Sequence, residues 1–96
     1  MSRSDRLVRD YRAAFLRYLP RREEAAAHTG YVLGRSAIAD GVSILEMVRV
    51  HHEVLLEVLR DTPGAELAQV TAAASEFLRE VLSTYDMTLR GLLDSG

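Results

Sequence analysis

The chain of 96 residues contains no cysteine, no tryptophan and no lysine, and only two prolines. Without cysteine there is no disulfide, no thiolate metal site and no thiol nucleophile. Charged residues interrupt every apolar run before it reaches the ~18 residues of a transmembrane helix, and the N-terminal segment is too charged for a secretory signal. These absences favour a cytoplasmic protein that does not cross or bind a membrane.

Charge is distributed unevenly along the chain. Residues 1–22 hold seven arginines and two aspartates, a net charge of +5, whereas residues 23–96 have a net charge of −7. A basic N-terminal segment could bind nucleic acid through its phosphates, and this is one alternative function. The arginines of the first helix, however, spread over roughly half of its circumference at ~100° per residue, which is typical of a solvated face. We therefore expect no nucleic-acid partner.

Hydrophobic periodicity indicates four helices and no strand. Gly30 and Gly34 lie inside the second helix, where small residues four apart permit another helix to approach closely. The predicted fold class is all-α, with one domain over residues 1–96 that forms a four-helix bundle protomer with a long C-terminal helix. The helices are expected at about residues 4–19, 21–40, 44–60 and 63–93.

Capping residues mark several of the predicted helix ends. Ser4 is a candidate N-cap for the first helix, and Gly41 is the expected stop of the second. Ser43 and Glu46 have the spacing of a capping box at the start of the third helix. Thr62, which directly precedes a proline, is the expected N-cap of the fourth helix.

The third helix is apolar on more sides than the surface helix of a monomer, which has one stripe of somewhat over ~100°. One stripe consists of Ile44, Leu45, Val48, Leu55 and Leu59, and a second of Met47, Val50, Val54 and Val58. A domain of this size buries only about 60–65% of its unfolded surface, so a homodimer is predicted. Because the fourth helix is too long for its neighbours to cover, its C-terminal half should share the interface. The expected dimer residues are Met47, Val50, Val54, Val58, Tyr85, Leu89 and Leu92.

The histidines and serines do not have the spacing of a catalytic or metal site. His51 and His52 are adjacent on a helix and point about 100° apart, so they cannot hold one ion together. No glutamate precedes His28, His51 or His52 by three residues, as a di-iron bundle requires. No serine has a histidine and an acid in a triad-like context. We therefore expect no enzyme active site, no metal and no cofactor, with one of the paired histidines packed and hydrogen-bonded inside the bundle.

Two stretches, residues 33–59 and 76–91, resemble the N-terminal domain of RsbU-type phosphatases, which has the KaiA/RsbU helical fold. The resemblance covers about residues 8–93. It rests on two aromatic residues in the first helix, an arginine before a small residue in the second, a histidine in the core of the third, and a Phe-Leu-x-Glu pattern in the fourth. These are Tyr11, Tyr18, Arg35, His51 and residues 77–80, followed by Tyr85 and Met87.

This resemblance implies a dimer of four-helix protomers without catalytic activity. It implies that the domain binds a switch-protein kinase of the RsbT type, and that binding activates a serine phosphatase in stress sigma-factor signalling. The implied partner-binding residues are Glu24 and His28 on the second helix, and Arg79 and Ser83 on the fourth. The chain departs from the family pattern at His28, which replaces an aromatic residue, and at Arg79 and Ser83, which replace aliphatic ones. Related modules also precede sensor kinases, so an input domain of a sensor kinase is a further alternative.

Overall fold

The computed structural model describes residues 2–21 and 27–95. In these ranges the chain is helical, and the predicted all-α fold class with a long C-terminal helix is confirmed. Helix α3 has the bounds expected from the sequence. Helix α4 begins four residues later than expected, because a 3₁₀ turn precedes it. The helices are α1 (Arg3–Tyr18), α2 (Ala27–Ala39), α3 (Ile44–Arg60) and α4 (Leu67–Ser95), with 3₁₀ turns at Leu19–Arg21 and Gly64–Glu66.

Helices α1 and α3 run parallel to each other. Ser4 donates a hydrogen bond to Glu46 near the start of both helices, at 3.0 Å, and Arg12 donates one to Glu57 farther along both, at 2.7 Å. The short connections between α2 and α3 and between α3 and α4 reverse the chain direction, as in other antiparallel bundles. The exposed polar side of α3 therefore faces the basic side of α1 along much of its length.

Helices α2 and α4 also run parallel, and they pack more closely than side chains would allow. A Cβ atom on Gly30 would lie 2.9 Å from the Cβ of Glu80, and one on Gly34 would lie 2.6 Å from the carbonyl oxygen of Val81. Real Cβ contacts are not this short. The two glycines thus permit the close helix contact that their spacing predicts, and α2 rests on the backbone of α4.

The core lies between the inward faces of the four helices, and Phe77 is at its centre. The rings of Tyr11, Phe15 and Tyr18 surround Phe77, with centroid distances between 5.2 and 5.6 Å. The Tyr11 contact is T-shaped, which the aromatic quadrupole favours. The buried apolar residues are Leu7, Tyr11, Ala14, Phe15, Tyr18, Ala37, Val42, Met47, Val50, Val54, Ala73, Ala74, Phe77 and Val81.

Two of the predicted caps need correction. The N-cap of α1 is Ser2, whose hydroxyl accepts the N–H of Asp5 at 3.1 Å, whereas the hydroxyl of Ser4 donates to α3. Thr62 does not cap the fourth helix: the 3₁₀ turn before α4 has no side-chain cap, and the hydroxyl of Thr62 donates to the carbonyl of Val58 at 2.7 Å, at the end of α3. Ser4 is not the N-cap of α1 because it lies inside the helix, which begins at Arg3.

The end of α2 and the start of α3 follow the sequence prediction. Gly41 has φ of +76°, a conformation that costs a glycine little, and the N–H of Val42 bonds to the carbonyl of Ala37 at 3.0 Å. These are the features of a Schellman motif. Ser43 caps α3 by accepting the N–H of Glu46 at 3.1 Å, which is one half of the predicted capping box. The carboxylate of Glu46 accepts from Ser4 and Arg49. The connection between α2 and α3 is therefore short and well defined.

Candidate protein-interaction surfaces

The stripe of α3 that was expected at a dimer interface is the buried stripe. Met47, Val50 and Val54 have no exposed surface and belong to the core of the protomer itself. Val58 is partly buried against the same core. The structure therefore corrects the assignment of Met47, Val50 and Val54: the helices of one chain already cover them, which leaves them no surface for a second chain. Val58 keeps only part of its surface.

The other predicted stripe of α3 is exposed only in its N-terminal part. Leu45 is 82% exposed, and Ile44 and Val48 are exposed as well, whereas Leu55 and Leu59 are partly buried. Leu56, which lies outside the predicted stripe, is also exposed. At the N-terminal end of α3 this stripe meets the C-terminal end of α4 across an apolar groove of about 340 Å³, to which Ile44, Tyr85, Leu89 and Leu92 contribute. We call this region the α3–α4 surface, defined by Ile44, Leu45, Val48, Leu56, Leu89 and Leu92.

The three α4 residues expected at the dimer interface differ in exposure. Leu89 and Leu92 are exposed, Leu92 to 67%. Tyr85 is partly buried, and its hydroxyl donates to the carbonyl of Val42 at 2.8 Å. Burial raises the pKa of Tyr85 above its usual value. Tyr85 thus forms the wall of the groove and ties α4 to the connection between α2 and α3, while the two leucines present their side chains at the surface.

The structure describes three of the four residues that the resemblance implies as partner contacts. Glu24 lies outside the described residues. His28 and Arg79 are exposed on α2 and α4, and Ser83 is half-buried. The hydroxyl of Ser83 donates to the carbonyl of Glu80 at 2.6 Å, a hydrogen bond within α4. In the described part of the chain, no hydrogen bond or ion pair joins His28, Arg79 and Ser83 to one another.

A row of three flat side chains, which the sequence prediction missed, lies on the exposed side of α2. The rings of His28 and Tyr31 are stacked, with centroids 6.5 Å apart and planes 19° apart. The guanidinium carbon of Arg35 lies 5.9 Å from the centre of the Tyr31 ring. Val32 is half exposed beside them. We call His28, Tyr31 and Arg35 the α2 row. Their spacing of three and four residues was the available signal, because such residues share one helix face.

A hydrogen-bonded pair of polar side chains is buried in the core and holds α1 to α3. The hydroxyl of Tyr11 and Nδ1 of His51 are 2.7 Å apart, and their rings meet edge to face at 5.8 Å. Burial, and to a lesser degree the neighbouring His52, lowers the pKa of His51, and burial raises the pKa of Tyr11. His51 is thus the packed, hydrogen-bonded histidine of the expected pair, and His52 is exposed. Both side chains are buried, and the hydrogen bond between them joins α1 to α3 inside the core.

The basic side of α1 is partly neutralised within the protomer. Arg12 forms an ion pair with Glu57 at 2.7 Å, and Arg9 lies 3.7 Å from Asp10. Among the described residues, no three histidine, aspartate or glutamate side chains gather where a metal ion could bind. A search of the same residues finds no helix with the length and apolar character of a membrane span.

Comparison with known families adds to this geometry. Residues 9–88 match the family model of the N-terminal domain of the phosphoserine phosphatase RsbU. The chain belongs to this family. The resemblance predicted from the sequence is thereby confirmed, and this RsbU N-terminal domain is a regulatory helical domain of phosphatase signalling. The matched range includes the α2 row and α3, and it ends one residue before Leu89. No curated protein and no solved structure matches the chain significantly.

Proposed function

We propose that this domain is a non-catalytic dimerisation and partner-binding module that acts in the cytoplasm. It binds a switch-protein kinase of the RsbT type, and this binding activates a serine phosphatase in stress sigma-factor signalling. The observation that supports the proposal best is the family match over residues 9–88, which includes the α2 row and the α3 part of the α3–α4 surface.

The α3–α4 surface supports the homodimer in this proposal, in place of the stripe that the structure shows to be buried. Contiguous exposed apolar side chains are unfavourable in water by about 25 cal/mol per Å² and mark interaction sites in soluble proteins. A two-fold dimer needs a patch that is complementary to itself. Here Ile44 lines the groove of about 340 Å³, and Leu45, the next residue on α3, is 82% exposed. In the proposed dimer each chain offers leucines of this surface and receives those of the other chain.

Sedimentation equilibrium at micromolar concentration tests the dimer. We expect about twice the chain mass for the wild type and a shift towards monomer for the double variant Leu45→Glu/Leu92→Glu, because two charges would enter the interface of each subunit. Leu16→Glu is the matched control, since Leu16 is an exposed leucine on α1, away from this surface. A wild type that sediments as a monomer at all concentrations would contradict the dimer.

Isothermal titration with the purified RsbT-type kinase of the same organism tests the partner. We expect saturable binding, and we expect the kinase to raise the activity of a phosphatase domain joined to α4. In parallel, a titration with duplex and single-stranded oligonucleotides at two salt concentrations should show no binding at physiological salt. If the chain binds oligonucleotides and does not bind the kinase, the nucleic-acid-binding alternative would replace the proposed function.

A further inference from the structure

The chain has four tyrosines, and three of them use their hydroxyls to join helices. Tyr11 bonds to His51, Tyr18 donates to Glu76 at 3.0 Å, and Tyr85 donates to the Val42 carbonyl. Tyr31 is the exception: it is 37% exposed, and its hydroxyl has no hydrogen-bond partner among the described residues. The hydroxyl of Tyr31 is therefore available for contacts outside the described part of the protomer.

Arg35 is similarly available. The guanidinium groups of Arg12, Arg49 and Arg90 each contact a carboxylate at 3.0 Å or less. Arg35 has no carboxylate within ion-pair distance in the described part of the chain, and α2 (Ala27–Ala39) contains no acidic residue that could supply one from a neighbouring turn. Its contact with the Tyr31 ring leaves the N–H groups of the guanidinium as donors towards solvent.

The α2 row is also held in place before any partner arrives. Gly30 and Gly34 fix α2 against the backbone of α4, so the helix that bears the row cannot shift without moving α4. Stacking restricts the rotamers of Tyr31 and Arg35. Binding therefore requires little further ordering of these side chains, which improves affinity. Tyrosine and arginine are also enriched among the residues that dominate binding energy at protein interfaces.

We propose that the α2 row recognises a carboxylate on the partner protein. The carboxylate pairs with Arg35, whose planar donors match its two oxygens, and an apolar side chain next to it packs on Tyr31 and Val32. This inference rests on the proposed function, because it names the contact through which the kinase-like partner is held. Arg35 is the specificity-determining residue, and Tyr31 orients its guanidinium.

A carboxylate fits this surface better than a polyanion does. Nucleic acid binding depends on several cations that neutralise successive phosphates. The α2 row contains one permanent cation, Arg35, and α2 (Ala27–Ala39) holds no other arginine or lysine. One guanidinium can pair with one carboxylate, but it cannot neutralise a series of phosphates.

Isothermal titration of the full chain with the RsbT-type kinase tests the row. Tyr31→Ala and Arg35→Glu are each expected to weaken binding at least about tenfold. Arg35→Lys should lie between these variants and the wild type, because an ammonium group cannot pair with both carboxylate oxygens in a plane. Arg60→Glu makes the same charge change at an exposed site at the end of α3 and should stay within about twofold of wild type. Circular dichroism melts confirm that each variant folds.

Charge reversal on the partner identifies the carboxylate. Single aspartate or glutamate to arginine variants of the kinase are titrated against Arg35→Glu, and one of them is expected to restore at least about tenfold of the lost affinity. Failure of the wild-type chain to bind the kinase would overturn the proposed function, and the row with it. If the wild-type chain binds the kinase and Tyr31→Ala and Arg35→Glu bind it equally well, only the proposed role of the α2 row would be overturned. Tighter binding of Arg35→Glu to oligonucleotides than to the kinase would contradict both.

Discussion

The two halves of helix α4 show how differently one regular helix can be stabilised. Between Ala73 and Thr84 its inward side is almost fully buried, with Phe77 and Val81 at 0% exposure. From Asp86 to Asp94 every residue is exposed, although this segment contains three leucines. Isolated helical segments of this length are only marginally stable in water. Packing in the bundle therefore stabilises the first half, whereas the second half stays helical because it continues the first.

The comparison indicates that apolar residues serve two purposes in this domain. In the first half they stabilise the protomer, and substitutions there should change the free energy of unfolding. In the second half they form part of the α3–α4 surface, and substitutions there should change association and leave the stability of the protomer nearly unchanged. The following predictions test this division, from the largest expected effect to the smallest.

Phe77→Ala should destabilise the protomer by about 3–5 kcal/mol, because it removes the ring that Tyr11, Phe15 and Tyr18 surround. Leu92→Ala, in the second half of α4, should change the free energy of unfolding by less than about 0.5 kcal/mol at concentrations where the chain is monomeric. Urea unfolding of both variants at low micromolar concentration provides the comparison. Equal losses would mean that the end of α4 is part of the folding core.

Two glycine substitutions should have effects of opposite sign. Gly34→Ala places a methyl group against the Val81 carbonyl and should cost about 1–3 kcal/mol of stability through overpacking. Gly91→Ala lies in the exposed half of α4, where nothing stands within 4 Å of the new methyl group, and should stabilise the helix by up to about 1 kcal/mol. Thermal melts measure both. A neutral Gly34→Ala variant would show that the two helices can separate slightly without loss.

Tyr11→Phe should cost about 1–3 kcal/mol, because it keeps the ring in the core but leaves Nδ1 of the buried His51 without its hydrogen-bond partner. Tyr31→Phe is the matched control, since that hydroxyl has no partner among the described residues, and it should leave stability unchanged. Chemical unfolding of the two variants measures the difference. A loss of the same size at both tyrosines would show that the buried hydrogen bond contributes little.

The pH dependence of stability should reflect His51, with the smallest effect of the series. Its pKa is lowered in the folded protein below the ordinary value of 6.5, so the unfolded chain binds more protons than the folded one as pH falls through 6.5. Stability should therefore decrease from about pH 6.5 downwards until the folded protein also becomes protonated. His51→Gln should flatten this part of the profile, while His52→Gln, at an exposed position, should retain it. A decrease that persists in His51→Gln would assign it to another group.

Much of the fold could be predicted from local signals. Gly41 and Ser43 define the connection between α2 and α3, and the bounds of α3 follow from them, because these residues act through their own turn of backbone. Ser4 and Thr62 were misassigned as caps. Ser2 and Ser4 are both serines near the start of α1, and the sequence alone did not show that the helix begins at Arg3. Thr62 precedes a 3₁₀ turn that has no side-chain cap, and its hydroxyl donates to the carbonyl of Val58 four residues before it.

The candidate surfaces could be predicted less well. Both stripes of α3 are apolar, and hydrophobic periodicity alone does not tell which stripe faces the same chain and which faces outwards. The stripe with Met47 and Val54 faces inwards, and that with Leu45 and Val48 faces outwards. The exposed leucines at the end of α4 could be predicted because that helix is longer than its neighbours. The α2 row was missed because His28 was considered without the side chains one and two turns farther along.

The contact at Gly30 and Gly34 has a mechanical consequence. Where side chains separate two helices, a small push on one is absorbed by rotation about side-chain torsions. At Gly30 and Gly34, α2 contributes no side chain to the contact with α4, so less of a displacement can be absorbed there. We therefore expect α2 and α4 to move together as one rigid unit. The α2 row lies towards one end of this unit, and the leucines at the end of α4 lie at the other. A partner that tilts α2 by a few degrees would displace the C-terminal end of α4, and the displacement would increase with the distance from the α2 row.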